Sequence, residues 1–143
     1  MKQKELLNKY LQENNLRQTP ERYIILKHIY SISKHFDIDH LYGCINKKEK
    51  ISRATIYNNL EILTQAGLIK KLHFNHNKVL YEKSLHKNQH DHIICTICGK
   101  IIEFCDPRIK NILDSISEIA NFHIESHSLN VYGQCKNKNC NKK

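Results

Sequence analysis

The chain has 143 residues, a mean hydropathy of −0.59 and a formal net charge of +9. That length fits one ordinary domain or two small ones. No apolar run approaches the ~18–20 residues of a membrane span, and Met1-Lys2-Gln3-Lys4-Glu5 is not the apolar core of a signal segment. The expected setting is therefore cytoplasmic, with no membrane partner. There thiols stay reduced and paired cysteines favour metal over disulfides. The charge is uneven: residues 1–83 hold 15 lysines and arginines against 8 acids, and residues 84–143 hold 8 against 6. A basic first half points to a polyanion such as nucleic acid, although a chain rich in Lys, Asn and Ile reaches such a charge without one.

The first half reads as helices. Leu6, Leu7, Tyr10 and Leu11 form a helical stripe that ends at Asn14-Asn15. Thr19-Pro20 then looks like an N-cap followed by proline at the first helical position, ahead of a face carrying Ile25, Ile29 and Ile32. Asp37 is placed to cap a third helix with Leu41 and Ile45. Ser52 is placed to cap a fourth, which runs to Ala66 and stops at Gly67. On that fourth helix Ile56, Leu60 and Leu63 face inward, while Ala54, Tyr57, Asn58 and Glu61 share the other side. A small residue, a tyrosine and an amide suit a base-reading surface, and equally a solvated helix face.

Two short runs follow, Leu68 to Phe74 and Lys78 to Tyr81, joined by Asn75-His76-Asn77; they predict a β-hairpin. Helices followed by a hairpin is the order of a winged helix, with Lys70, Lys71 and Lys78 of the wing suited to phosphate. Residues 83–89 are polar and lack a period. Beyond them, His92 to Cys95 and Lys100 to Phe104 predict a second hairpin. Asp106-Pro107 opens a helix with Ile109, Ile112, Leu113 and Ile116, and Phe122 to Tyr132 reads as a strand. The fold class expected is α+β: a winged-helix DNA-binding domain at 1–83, a hinge at 84–89, and a small α/β dimerisation and metal-binding domain at 90–143.

Two cysteine pairs carry the most specific chemistry. Cys95-Thr96-Ile97-Cys98-Gly99 is a Cys-x2-Cys turn, and Cys135 and Cys140 are spaced Cys-x4-Cys. Four thiolates close a tetrahedral zinc shell and leave no open position, so this metal is expected to hold structure and do no chemistry. Disulfides or buried free thiols are the alternative. Cys44 and Cys105 fall outside the pattern. A second cluster is suggested by His90-Asp91-His92. In an extended strand the two histidines point to one side and Asp91 to the other; Glu103 on the paired strand could complete a site, and Glu82 at the end of the wing could reach it, while ordinary surface histidines are the alternative. A hydrolytic metal site would need an open coordination position and an organised base; none is visible beyond the ligands, and four glycines form no phosphate-cradling loop. No catalytic residues are expected.

The chain resembles the ferric uptake regulator family of metal-dependent transcriptional repressors. The resemblance rests on Leu16-Arg17-Gln18-Thr19-Pro20-Glu21-Arg22, Ala54-Thr55-Ile56-Tyr57, His90-Asp91-His92-Ile93-Ile94-Cys95, Cys98-Gly99-Lys100-Ile101-Ile102-Glu103-Phe104, His127-Ser128-Leu129 and Tyr132-Gly133-Gln134-Cys135. It implies a homodimer on double-stranded DNA, at an AT-rich palindromic operator, with a structural Zn²⁺ and a regulatory Fe²⁺, Mn²⁺ or Zn²⁺. It implies a regulatory site of His35, Glu82, His90, His92 and Glu103, and DNA contacts from Arg17, Arg22, Arg53, Thr55, Tyr57 and Asn58. A further family site corresponds to Gln89, Asp91, Lys110 and His127. Gln89 is a poor ligand and Lys110 a cation, so this third site is expected to hold no metal, unless His86 or His123 compensates. The family's peroxide sensors share Tyr57-Asn58-Asn59-Leu60 but usually place Asp where Glu103 stands. Iron sensing is therefore the leading expectation, with peroxide or zinc sensing as alternatives.

Overall fold

A computed structural model of the chain describes residues 2–33, 35–74, 78–84, 89–137 and 140. The chain forms two compact units, Met1–Lys87 and Asn88–Lys143. The first contains α1 (Lys2–Glu13), α2 (Pro20–Ser31), α3 (Ile38–Ile45), α4 (Arg53–Gln65), β1 (Ile69–His73) and β2 (Val79–Lys83). The second contains β3 (Asp91–Cys95), β4 (Ile101–Phe104), α5 (Pro107–Ala120) and β5 (Asn130–Gly133).

The helix boundaries follow local chemistry. Asn15 takes a left-handed conformation after α1, and the Leu16 amide bonds back to the Leu11 carbonyl. Thr19 precedes Pro20 in extended conformation but makes no side-chain cap. Asp37 accepts from the His40 amide and Ser52 from the Thr55 amide, so each fills an otherwise orphaned helical donor. Gly67 stops α4 at φ +69°, and the Leu68 amide closes onto the Leu63 carbonyl.

The first unit owns the apolar core. Leu7, Leu11, Ile25, Ile29, Leu41, Ile45, Ile56, Leu60 and Leu63 from the four helices are fully or nearly fully buried together. β1 and β2 pair antiparallel, Lys71 opposite Tyr81, and complete a winged helix. A single antiparallel bridge joins Phe36 to Tyr81 through two backbone hydrogen bonds, and the two rings stack at 5.7 Å. The expected turn Asn75-His76-Asn77 and most of the expected hinge lie outside the described residues.

In the second unit β3 is the central strand, antiparallel to β4 and parallel to β5. The expected strand from Phe122 to Tyr132 is corrected: regular pairing covers only Asn130–Gly133. Just upstream, the His92 amide still bonds the Leu129 carbonyl, and side chains take over two of the neighbouring groups. The Asp91 carboxylate accepts from the Leu129 amide, and Gln89 Nε2 donates to the His127 carbonyl. Those backbone groups are satisfied, but not by a neighbouring strand. Ile93, Ile102 and Val131 lie side by side in this register, and all three are exposed. Along α5, Ile112, Ile116 and Ile119 are exposed as well.

Candidate metal centres and DNA-reading surface

The four cysteines converge within the second unit. β3 delivers Cys95, and the turn to β4 delivers Cys98. In that turn Gly99 adopts φ +71° and its amide bonds the Cys95 carbonyl. The Thr96 amide bonds the Gly133 carbonyl, which ties the turn to the end of β5 just ahead of Cys135. Cys95 Sγ lies 3.5 Å from Cys140 Sγ, and Cys98 Sγ lies 3.8 Å from Cys135 Sγ. All four sulfurs fall within 4.8 Å of one another. A tetrahedron with Zn–S bonds of roughly 2.3 Å has sulfur–sulfur edges of about 3.8 Å, so the array fits a zinc ion. The electrostatics agree. Backbone N–H groups of Cys98 and Cys135 hold the Cys95 thiol down at about 5, while hydrogen bonding to the Cys98 and Cys95 sulfurs pushes Cys140 up to about 12. One thiolate is stabilised by the backbone; a full set of four calls for a cation to balance it.

The histidines and acids form two sets, one in each unit. In the first unit the Phe36–Tyr81 bridge brings the residues beside it, His35 and Glu82, face to face. His35 Nε2 is 3.2 Å from Glu82 Oε2, with side chains 13% and 4% exposed. In the second unit His92 is buried and stands opposite Glu103 in the β3–β4 register. The His90 ring meets the His92 ring edge-on at 4.9 Å. Both sets offer only nitrogen and oxygen donors.

Asp91 faces the other way, as strand alternation requires. Its carboxylate is 3.3 Å from His127 Nε2 and borders a cavity of about 490 Å³ that Gln89, Lys110 and His127 also line. The four positions of the expected third site thus surround one cavity, with a lysine among them. His123 is exposed, and His86 lies outside the described residues.

On α4, Tyr57 is 54% exposed, and Ala54, Asn58 and Glu61 are exposed beside it. Thr55 Oγ1 shares a hydrogen bond with Ser52 Oγ at the helix start. Arg53 lies 4.3 Å over the Tyr42 ring and pairs with Asp39. Arg17 is exposed in the α1–α2 loop. Arg22 is half-buried: its Nε donates to the Arg17 carbonyl and its Nη1 to Asn59 Oδ1. On the wing, Lys70 and Lys71 are exposed, while Lys78 pairs with Asp37 at 3.0 Å. Sequence reasoning missed Asn59 and Asp39. Asn59 leaves a signal: it is an amide within the buried stripe of Ile56, Leu60 and Leu63.

A winged helix with an exposed tyrosine-bearing helix, joined to a unit organised around four thiolates, defines a metal-containing DNA-binding protein. The sequence matches the ferric uptake regulator family over residues 13–132, and the chain belongs to that family. Its members are metal-responsive transcriptional repressors that bind DNA as dimers. Among curated relatives, the peroxide-responsive repressor PerR of Staphylococcus saprophyticus is 33% identical over 127 residues, spanning 88% of this chain and 84% of the relative. Among solved structures, the ferric uptake regulator of Helicobacter pylori, described with three functional metal-binding sites, superposes with a TM-score of 0.84 at 29% identity, covering 94% of this chain and 90% of that one. The ferric uptake regulator of Francisella tularensis with iron gives 0.75 at 32% identity, covering 85% and 92%.

Proposed function

We propose that the chain is an Fe²⁺-responsive repressor in which one divalent cation joins His35 and Glu82 to His90, His92 and Glu103. The observation that carries this reading is the His35–Glu82 pair: an imidazole and a buried carboxylate at 3.2 Å, largely withdrawn from water in the DNA-reading unit. In the second unit the buried His92 stands opposite the exposed Glu103 in the β3–β4 register. When bound, the ion supplies positive charge that fixes the angle between the two units; the winged-helix domain is 1–83, the hinge 84–89 and the dimerisation domain 90–143. The exposed Ile93, Ile102 and Val131, with Ile112, Ile116 and Ile119 of α5, supply the apolar surface of a homodimer. A two-fold dimer reads a palindrome, and fixing the two recognition helices at one spacing lets DNA bind with less ordering cost.

In this reading Tyr57 meets thymine methyl groups, Asn58 pairs with adenine or phosphate, Arg53 and Thr55 sit at the phosphate end of α4, and Arg17 enters an AT-rich minor groove. Operator affinity measured against free Fe²⁺, Mn²⁺ and Zn²⁺ tests it. Chelator should weaken specific binding by roughly 5–150-fold and Fe²⁺ should restore it; equal affinity in both states removes the switch. Peroxide sensing is favoured by one observation, the 33% identity to a peroxide-responsive repressor. Brief peroxide treatment of the iron-loaded form separates the two: a permanent loss of operator binding selects the peroxide sensor.

The third site is proposed to stay metal-free, because Lys110 already brings a positive charge to the cavity that Asp91 and His127 border. Metal counting under reducing conditions should find two ions per chain with Zn²⁺ in excess. Gln89→His combined with Lys110→Glu should add one more. Full occupancy at Asp91 and His127 in the unaltered chain would contradict this.

A further inference from the structure

The buried face of α4 contains one residue that packing does not explain. Ile56, Leu60 and Leu63 are the side chains expected there, yet Asn59 among them is only 6% exposed. A buried amide is costly unless its donors and acceptor are engaged. Asn59 Nδ2 donates to the Thr55 carbonyl at 2.8 Å, and Asn59 Oδ1 accepts from Arg22 Nη1 at 3.1 Å. The same guanidinium donates through Nε to the Arg17 carbonyl at 2.9 Å. The next amide back, that of Leu16, bonds the Leu11 carbonyl at 2.8 Å. The loop carrying Arg17 is therefore pinned at consecutive residues, once to α1 and once, through Arg22, to the inner face of α4.

We infer that Arg22 and Asn59 form a positioning clamp that holds the Arg17 backbone at a fixed offset from the recognition helix α4. This inference rests on the reading of Arg17 as a minor-groove contact and Tyr57 as a major-groove contact. Those two contacts lie in different grooves, so simultaneous engagement requires a set distance between a loop and a helix. A planar guanidinium is suited to that task, because its donors point in fixed directions and one group spans two acceptors. An ammonium in its place is a point donor on a flexible stem and does not fix two acceptors in one plane. The clamp also gives Arg22 a role inside the protein rather than as a direct DNA contact.

The test uses full-length, metal-loaded protein and a duplex recovered by that protein from a random-sequence pool. One set of duplexes replaces adenine by 2,6-diaminopurine, which adds an amino group in the minor groove and leaves the major-groove edge unchanged. A second set replaces thymine by uracil, which removes only the major-groove methyl. The unaltered protein should discriminate against the first set by about tenfold or more, in the range usual for one altered base pair. Asn59→Ala and Arg22→Lys should each erase most of that discrimination while keeping the uracil effect. Asn59→Asp, which keeps an acceptor for Arg22, should retain both. A variant that has merely lost stability would lose both effects together, and thermal unfolding would show it. Arg17→Ala should add nothing in the Asn59→Ala background. If Arg17→Ala alone removes the diaminopurine effect but Asn59→Ala and Arg22→Lys do not, the clamp is overturned and the minor-groove reading stands. If Arg17→Ala alone has no effect, that reading fails and the clamp fails with it.

Discussion

Replacing Cys98 by serine should unfold the second unit and dissociate the dimer while leaving the winged helix folded. The reason is where the apolar core sits. Every residue of the buried apolar cluster, from Leu7 to Tyr81, belongs to the first unit. In the second unit the buried side chains among the described residues are Asp91, His92, Ile94 and Cys95. So small a core does not offset the chain entropy of ordering the segment, and domains of this size depend on a staple. Zinc bound to such ligand sets contributes apparent free energies of roughly 10–16 kcal/mol, which is folding free energy when the site does not exist in the unfolded chain. Removing one of four thiolates forfeits much of it. The expected result is loss of bound zinc, a monomer by size-exclusion chromatography, and far-UV circular dichroism that retains the contribution of α1 to α4. Cys105→Ser is the matched control, because Cys105 is exposed and outside the sulfur array; it should change none of the three. A Cys98→Ser protein that stays dimeric with an unchanged melting temperature would show that the array is not the staple.

What the sequence disclosed and what it withheld divide along the range of the interactions. The caps at Asp37 and Ser52, the stop at Gly67 and the turn at Gly99 depend on residues a few positions away, and each was legible. The cysteine array was legible too, because ligand spacing within each pair is local even though Cys95 and Cys140 are 45 residues apart. The strand misread at Phe122 to Leu129 has the opposite origin. The Leu129 amide and the His127 carbonyl are met by the side chains of Asp91 and Gln89, each 38 residues upstream, and no local pattern reveals that. The pairing of His35 with Glu82 depends on the Phe36–Tyr81 bridge, which ties a pre-helix residue to the wing 45 positions on. Periodicity is silent on it, and only the resemblance pointed there. Asn59 broke the apolar stripe of α4 in plain view, but its meaning needed the partner Arg22 37 positions away.

Altering either half of the proposed sensing site should cost the same amount of metal-dependent DNA affinity. Glu82→Gln removes the charge of a side chain that is 4% exposed and faces His35, in the unit that carries α4. His92→Ala removes a buried imidazole from β3, in the other unit. If one ion is shared, losing either partner uncouples the units, and each variant should bind the operator like metal-free protein, roughly 5–150-fold more weakly than the loaded form. The double variant should be no worse than either single one, since an interaction already absent cannot be lost twice. Non-specific binding to random duplex should barely change, because it depends on the basic surface and not on the spacing of recognition helices. The thiolate array is a separate site, so the variants should keep one zinc per chain and remain dimers. The alternative, in which each unit holds its own ion, predicts additive losses and a stepwise metal titration. A third outcome, a His92→Ala protein that still gains full operator affinity with Fe²⁺, would exclude β3 from the sensor altogether. Glu82→Gln also separates charge from packing, because glutamine keeps the volume and the hydrogen bond to His35 but not the anion. If that variant still responds to metal, the carboxylate positions His35 and is not itself a ligand.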